Sequence, residues 1–296
     1  VDPTGTLLLT NPVTISAATT VGRPKLVATS DGGFILQYAV SNGGFGLPPS
    51  TMYAQRYDAT GVAVWANAVQ VSSKSISFFY FPNPIPDGQD GFYMAFDTSN
   101  PDNPSFTDVY AQRVRGNGTR WSTDGTRLDN SSSTMKFSFG HGLTRVSDDD
   151  GLMVPMQVTD AAQGQSGLSV QRLDTAGTRQ LGDAAVNVIP VTATYVQPTD
   201  ISATNDGAVI THYAGAFGQV HLSATRVDLS GSTVWTPAQM DVSTANSNKS
   251  KVQMTDMRDG LMVVVWDDDR TMGGIYAQNI DGLDPPTGVR PVASAS

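Results

Sequence analysis

Glutamate is missing from this chain altogether: all 27 acidic residues are aspartate. That excludes HExxH metalloproteases, glycosidases whose acid or nucleophile is Glu, and EF-hand loops that end in Glu. A glycosidase built on two aspartates stays open. Cysteine is also absent, which rules out a disulfide framework and thiolate chemistry. No G-x-S-x-G and no G-x-x-x-x-G-K occurs, so neither a nucleophile elbow nor a phosphate-binding loop is supported. The longest apolar runs, such as Leu261 to Trp266, fall far short of the roughly 18 residues a membrane helix needs, so no membrane insertion is expected. Cations are few, 18 Lys and Arg for a net charge of -9, which disfavours nucleic acid and anionic membranes as partners.

What the chain does have is repetition. DGGFILQYAV followed by MYAQRYDATGVAVW (Asp31 to Trp65) returns as DGLMVVVWDDDR followed by IYAQNIDG (Asp259 to Gly282). Aligned on Gln55, Gln112, Gln171, Thr225 and Gln278, the units are spaced by 57, 59, 54 and 53 residues. Five such units fill the chain as one continuous body. Each begins with an Asp-Gly turn, where Asp bonds to nearby backbone and Gly accepts positive φ. Short apolar β-prone runs follow: Phe34 to Val40, Phe92 to Phe96, Leu152 to Val158, Ala208 to Tyr213 and Leu261 to Trp266. Then comes a YAQR-type strand with Tyr53, Tyr110 or Tyr276, and a second turn with Asp58, Asp174, Asp228 or Asp281. Gly61, Gly118, Gly177 and Gly231 close that turn, and Trp65 and Trp235 lie four residues beyond, placed to pack between neighbouring sheets.

Four short strands and two tight turns per unit, with no amphipathic helix, predict an all-β fold: a five-bladed β-propeller with blades of about 55 residues. The single domain spans 1–296, with an outer strand at 1–20 and blades at roughly 21–73, 74–131, 132–188, 189–244 and 245–296. A β-sandwich or a parallel β-solenoid of the same units is the alternative. The repeat resembles a blade common in secreted bacterial proteins, in which a GG-apolar-W-D-R strand precedes YAQR-D-x-x-G-x-x-x-W. The D-x-x-G-x-x-x-W part is also similar to the Asp-box turn of sialidase-type propellers, which the resemblance implies is structural here. Only the fifth unit keeps W-D-R (Trp266, Asp267, Arg270), and units three and four lack the Tyr.

The N-terminal VDPTGTLLLTNPVTIS matches YDATGVAVWANAVQVS (Tyr57 to Ser72), so Val1 to Ser16 reads as the outer strand of a blade. Either it closes its own ring or it is donated to a neighbouring molecule by β-augmentation, giving a filament. The residues assigned to this role are Val1, Asp2, Thr4, Gly5, Leu7, Leu9, Val13 and Ile15, with Val289 and Val292 of the tail. The chain opens on Val1 without a basic or apolar leader, so any signal sequence has already gone. An extracellular or cell-surface location is inferred on that basis.

Other constellations are weaker. Asp148, Asp150, Asp267 and Asp269 lie in aspartate runs that could offer oxygens to Ca²⁺ or could be solvated turns. His212 and His221 lack further ligands, so no metal and no cofactor is assigned. Phe45, Phe106, Phe217 and the Phe78 to Phe81 cluster suit sugar stacking or plain packing. Asn117, Asn130 and Asn248 head glycosylation sequons. The functional expectation is a non-enzymatic extracellular structural or adhesive protein, self-assembling by strand donation, with no catalytic residue. The alternative is a lectin-like carbohydrate-binding propeller. The expected partners are further copies of the chain or surface glycans.

Overall fold

The computed structural model describes residues 20–43, 47–76, 83–99, 106–130, 137–140, 142–146, 151–216, 218–270, 273–281 and 290–291. Among them every regular element is a strand. The strands form five antiparallel sheets, each built from consecutive segments of the chain. The first holds β1 (Thr20–Ala28), β2 (Phe34–Gly43), β3 (Leu47–Tyr57) and β4 (Val69–Gln70), in that order. The second holds β5 (Ile85–Pro86), β6 (Phe92–Ser99), β7 (Thr107–Val114) and β8 (Thr126–Arg127). In the third, β9 (Phe137–Gly140) and β10 (Thr144–Arg145) both pair with β11 (Leu152–Thr159), followed by β12 (Ser166–Leu173) and β13 (Val186–Thr192). The fourth is β14 (Tyr195–Thr204), β15 (Gly207–Ala216), β16 (Gln219–Asp228) and β17 (Met240–Ser247). The fifth is β18 (Lys249–Met254), β19 (Leu261–Asp268), β20 (Gly274–Asp281) and β21 (Arg290–Pro291).

The second strands β6 and β11 carry continuous apolar runs because both faces are covered: β11 is buried along its whole length, whereas β19 alternates buried and half-buried residues. Strands covered on both faces cannot alternate apolar and polar residues. In the Asp-Gly turns the expectation that Gly supplies positive φ holds at Gly32 and Gly260, both at 80°, but it is not the whole account. At Asp90 and Asp259 the aspartate itself takes the positive φ, 60° and 52°. The following Gly91 is needed for close approach: a Cβ there would stand 2.3 Å from the Val114 carbonyl oxygen, and at Gly207 one would stand 2.0 Å from that of Val227. Only glycine lets the second strand start flush against the end of the third.

Contacts divide the chain into two compact units, one of Val1–Ser105 and Tyr110–Arg127, the other of Phe106–Val109 and Leu128–Ser296. In the first unit Trp65, Met52 and Ile35 pack with Phe92, Met94 and Phe96 in one buried cluster. The Trp65 indole also donates to the Gly116 carbonyl at 2.9 Å, so the ring both fills space and closes a polar contact. In the second unit one cluster joins β11 and β12 to β14 and β15 through Met153, Leu168, Ile201 and Ile210. Another joins β15 and β16 to β18 and β19 through Val209, Leu222, Val252 and Met262. The first strands of these sheets lie next to one another, β10 beside β14 and β14 beside β18.

Candidate functional site

The residues that mark the repeat serve the scaffold. The Gln112 amide donates to the Val71 carbonyl at 3.0 Å and to the Ser122 carbonyl at 2.7 Å, while its oxygen accepts from the Trp121 amide. Gln171 repeats the pattern with the carbonyls of Leu128 and Gly182 and the amide of Leu181. Gln55 reaches the Trp65 carbonyl at 3.1 Å, and Thr225, where the glutamine is lost, still donates to the Ala238 carbonyl. The aromatics stack across strands, Tyr38 on Tyr53, Phe96 on Tyr110 and Trp266 on Tyr276. In the second turn Asp58, Asp174 and Asp228 each accept two backbone amides with one oxygen, and Gly61, Gly177 and Gly231 hold positive φ. The second unit of the repeat has Arg115 at the Asp position, and Asn117 accepts the Thr119 amide instead. Gly118 keeps the positive φ. The arginines that follow the aligned Gln or Thr pair with turn aspartates: Arg56 with Asp31, Arg113 with Asp87 and Arg226 with Asp206.

Chemistry of another kind gathers on the first strands of the second unit. β14 is bulged between Pro198 and Asp200, and bulges commonly re-aim a side chain. The bulge carries Asp200, whose two oxygens accept the amides of Ile201 and Met254 at 2.9 and 2.7 Å. Its carboxyl is thus held between β14 and β18. Burial raises its pKa, the two amides oppose that, and the negative charge of exposed Asp256 adds to the rise. Two carboxylates in unlike surroundings, one buried and one in water, are the arrangement that separates an acid from a base.

At the ends of β14, β18 and β19 lies a polar and aromatic group. Lys251 reaches Asp267 at 3.0 Å, and the Lys251 side chain is 80% exposed. Ser250 also donates to Asp267. Tyr195 donates to Gln197, which sits opposite Tyr213 in the register of β14 and β15. The Tyr213 hydroxyl is pushed up to about 12 by burial, with the neighbouring Tyr195 and Asp267 adding to it.

Beside it is a buried ionic cluster. Asp268 accepts from Ser247 at 2.6 Å, Trp266 at 3.0 Å and Arg270 Nε at 2.9 Å, and lies 3.4 Å from Lys249. Burial alone would raise the Asp268 pKa, but the bonds from Arg270, Ser247 and Trp266 outweigh it and hold the carboxyl ionised. Arg270 lies over the Tyr276 ring at 4.1 Å, so the W-D-D-D-R segment is a braced corner of the fifth sheet.

Of the calcium candidates, Asp148 and Asp150 lie outside the described residues. Asp267 is engaged by Lys251 and Asp269 accepts the Asn248 amide. Among the described residues no group of three His or Asp side chains is gathered as for a metal. His212 is wholly buried, its Nε2 3.1 Å from Gln239, and burial lowers its pKa to about 4. Asn117, Asn130 and Asn248 are all exposed. The N-terminal residues Val1 to Ile15, and Val289 and Val292, lie outside the described residues, although Arg290–Pro291 pair with β20. The loop aromatics Phe45, Phe217 and Phe78 to Phe81 are outside them too. Sequence reading passed over Asp200, Asp256, Lys251 and Tyr213. A signal was present in Asp200, the only carboxylate inside an otherwise neutral YVQPTDISAT segment.

No family model matches the chain, and no curated protein does. Solved structures do. A Hadza microbial sialidase superimposes with a TM-score of 0.51 at 11% identity, covering 93% of this chain and 59% of its own. A polysaccharide lyase, an ulvan lyase bound to -[GlcA(1-4)Rha3S]-, gives a TM-score of 0.56 at 12% identity, covering 88% of this chain and 64% of its own. The chain therefore spans about three fifths of the length of these structures. The likeness gives the fold as β-propeller in type, all-β with five sheets.

It also overturns the expectation of a non-enzymatic structural, adhesive or filament-forming protein without enzyme activity. Solved structures that share this fold include a sialidase and an ulvan lyase, both of them enzymes. The absence of glutamate excludes only those mechanisms that need Glu, and the Asp200 carboxyl has a pKa raised by burial.

Proposed function

We propose that this chain is a five-bladed β-propeller that acts on a carbohydrate, with Asp200 and Asp256 as its acid and base. The observation that carries the reading is the Asp200 carboxyl, held on a strand bulge with burial and a second carboxylate favouring its protonated form. The sheet count and the likeness to a sialidase and an ulvan lyase support it. An extracellular site of action and kinship with the secreted blade repeat belong to the same proposal, resting on the YAQR and D-x-x-G-x-x-x-W segments.

In this scheme Asp200 gives its proton to the leaving sugar oxygen as that oxygen's bond to the anomeric carbon breaks, while Asp256 takes a proton from the water whose oxygen bonds to the same carbon. Activity on a panel of plant, algal and animal polysaccharides, read as new reducing ends and as the ultraviolet absorbance of unsaturated products, tests it. Asp200→Asn should lower the turnover by about 10²–10⁴-fold. Because the acid must be protonated, the rate of the native chain should fall as pH rises through the raised Asp200 pKa. An Asp200→Asn protein with undiminished turnover, or a chain that cleaves none of the panel, sinks the assignment.

A further inference from the structure

Three first strands break register at the same place. In β1 the irregularity falls between Gly22 and Lys25, in β14 between Pro198 and Asp200, and in β18 between Ser250 and Gln253. Counted from the cross-strand pairing, Arg23, Pro198 and Lys251 occupy one equivalent position. Arg23 and Lys251 have φ of 58° and 50°, a conformation that side chains with a Cβ adopt only against steric resistance. The bulge does not require it, since proline, confined to negative φ, fills the position in β14. If the backbone alone mattered, glycine would be the residue of least strain there. Both strained positions instead carry a long cationic side chain.

Strain kept at a particular residue is a pointer to what that side chain does. Lys251 is not kept to hold the fold: its side chain is 80% exposed and its ion pair with Asp267 is at the surface, where such pairs contribute little. Its partner Asp267 acts electrostatically on Tyr213, which neighbours Tyr195 and lies opposite Gln197 in register, and flat rings and an amide of this kind suit a sugar ring's apolar face and hydroxyls.

We propose that Lys251 is a binding residue for an anionic sugar, its ammonium meeting a ring carboxylate or sulfate, and that Arg23 plays the same part in the first unit. This deepens the carbohydrate reading above and rests on it. On binding, the ligand's anion takes the place of Asp267 at the Lys251 ammonium, so affinity falls as salt rises.

The test is calorimetric titration of the full chain with three probes: an oligogalacturonate, a sulfated carrageenan oligosaccharide and a neutral cello-oligosaccharide. Each is repeated with Lys251→Gly and Arg23→Gly, together with thermal unfolding of all three proteins. The expected result is binding of one anionic probe, weakened roughly tenfold or more in each variant, with unfolding midpoints equal to or about 2 °C above the parent's. Which anionic probe binds separates carboxylate from sulfate recognition. Unchanged anionic affinity in the variants, or midpoints that drop, overturns the proposal by giving these residues a structural role. Binding of the neutral probe alone overturns it while leaving the carbohydrate reading intact, and binding of none overturns both.

Discussion

At the scale of single residues, the same pairing of arginine and turn aspartate recurs with different energetic weight. Arg56 and Asp31 meet at 2.9 Å, but Asp31 is half exposed, so water already screens the pair. Arg113 and Asp87 meet at 2.8 Å with both side chains almost fully buried. Asp87 also accepts the amides of Gln89 and Gly91, and Arg113 lies over the Tyr93 ring. Removing one buried partner strands the other charge. Asp87→Ala should therefore cost about 3–5 kcal/mol in urea unfolding, whereas Asp31→Ala should leave the midpoint nearly unchanged. Equal effects from the two substitutions would show that burial is not what separates them.

At the scale of elements, Gln112 and Gln171 on their third strands each link their own turn to the segment before it. Gln112→Ala leaves the carbonyls of Val71 and Ser122 and the amide of Trp121 without their side-chain partner. A loss of about 2–3 kcal/mol is expected, from several buried groups each worth about 1 kcal/mol or more. Native-state hydrogen exchange should localise the loss to the Trp121 region before the rest of the unit opens. This glutamine was legible in the sequence as the alignment anchor. Its partners were not, because all three are backbone groups, distant or unremarkable in sequence. The strands and turns were legible for a simpler reason: apolar runs such as Leu152 to Val158 and the Asp-Gly pairs around them report local physics. The bulges at Arg23, Pro198 and Lys251 escaped notice, since a register break leaves no mark on composition, and the carboxyl of Asp200 gained its meaning only from the burial that β18 supplies.

At the scale of the whole molecule, buried titratable groups couple stability to pH. His212 is neutral when folded, with a pKa lowered to about 4 from 6.5. Between those values the unfolded chain binds a proton that the folded chain does not, so stability falls as pH falls, by about 1.4 kcal/mol per unit. Thermal midpoints should decline from about pH 6.5 toward pH 4, and His212→Gln should flatten that decline. A variant with the parent's slope would place the acid sensitivity elsewhere. The expectation of function failed at this same scale. A repeat specifies how sheets are made and joined, and says nothing of what the few unrepeated residues on the first strands do.

The glutamine bridges have one more implication. Donor and acceptor sit in successive copies of the repeat, as with Gln112 and Val71 and with Gln171 and Leu128. Copying one stretch of coding sequence therefore copies both halves of the joint, and a newly inserted copy arrives already fitted to its neighbours. A chain joined in this way can lengthen by duplication without inventing an interface, and its first strands remain free to diverge.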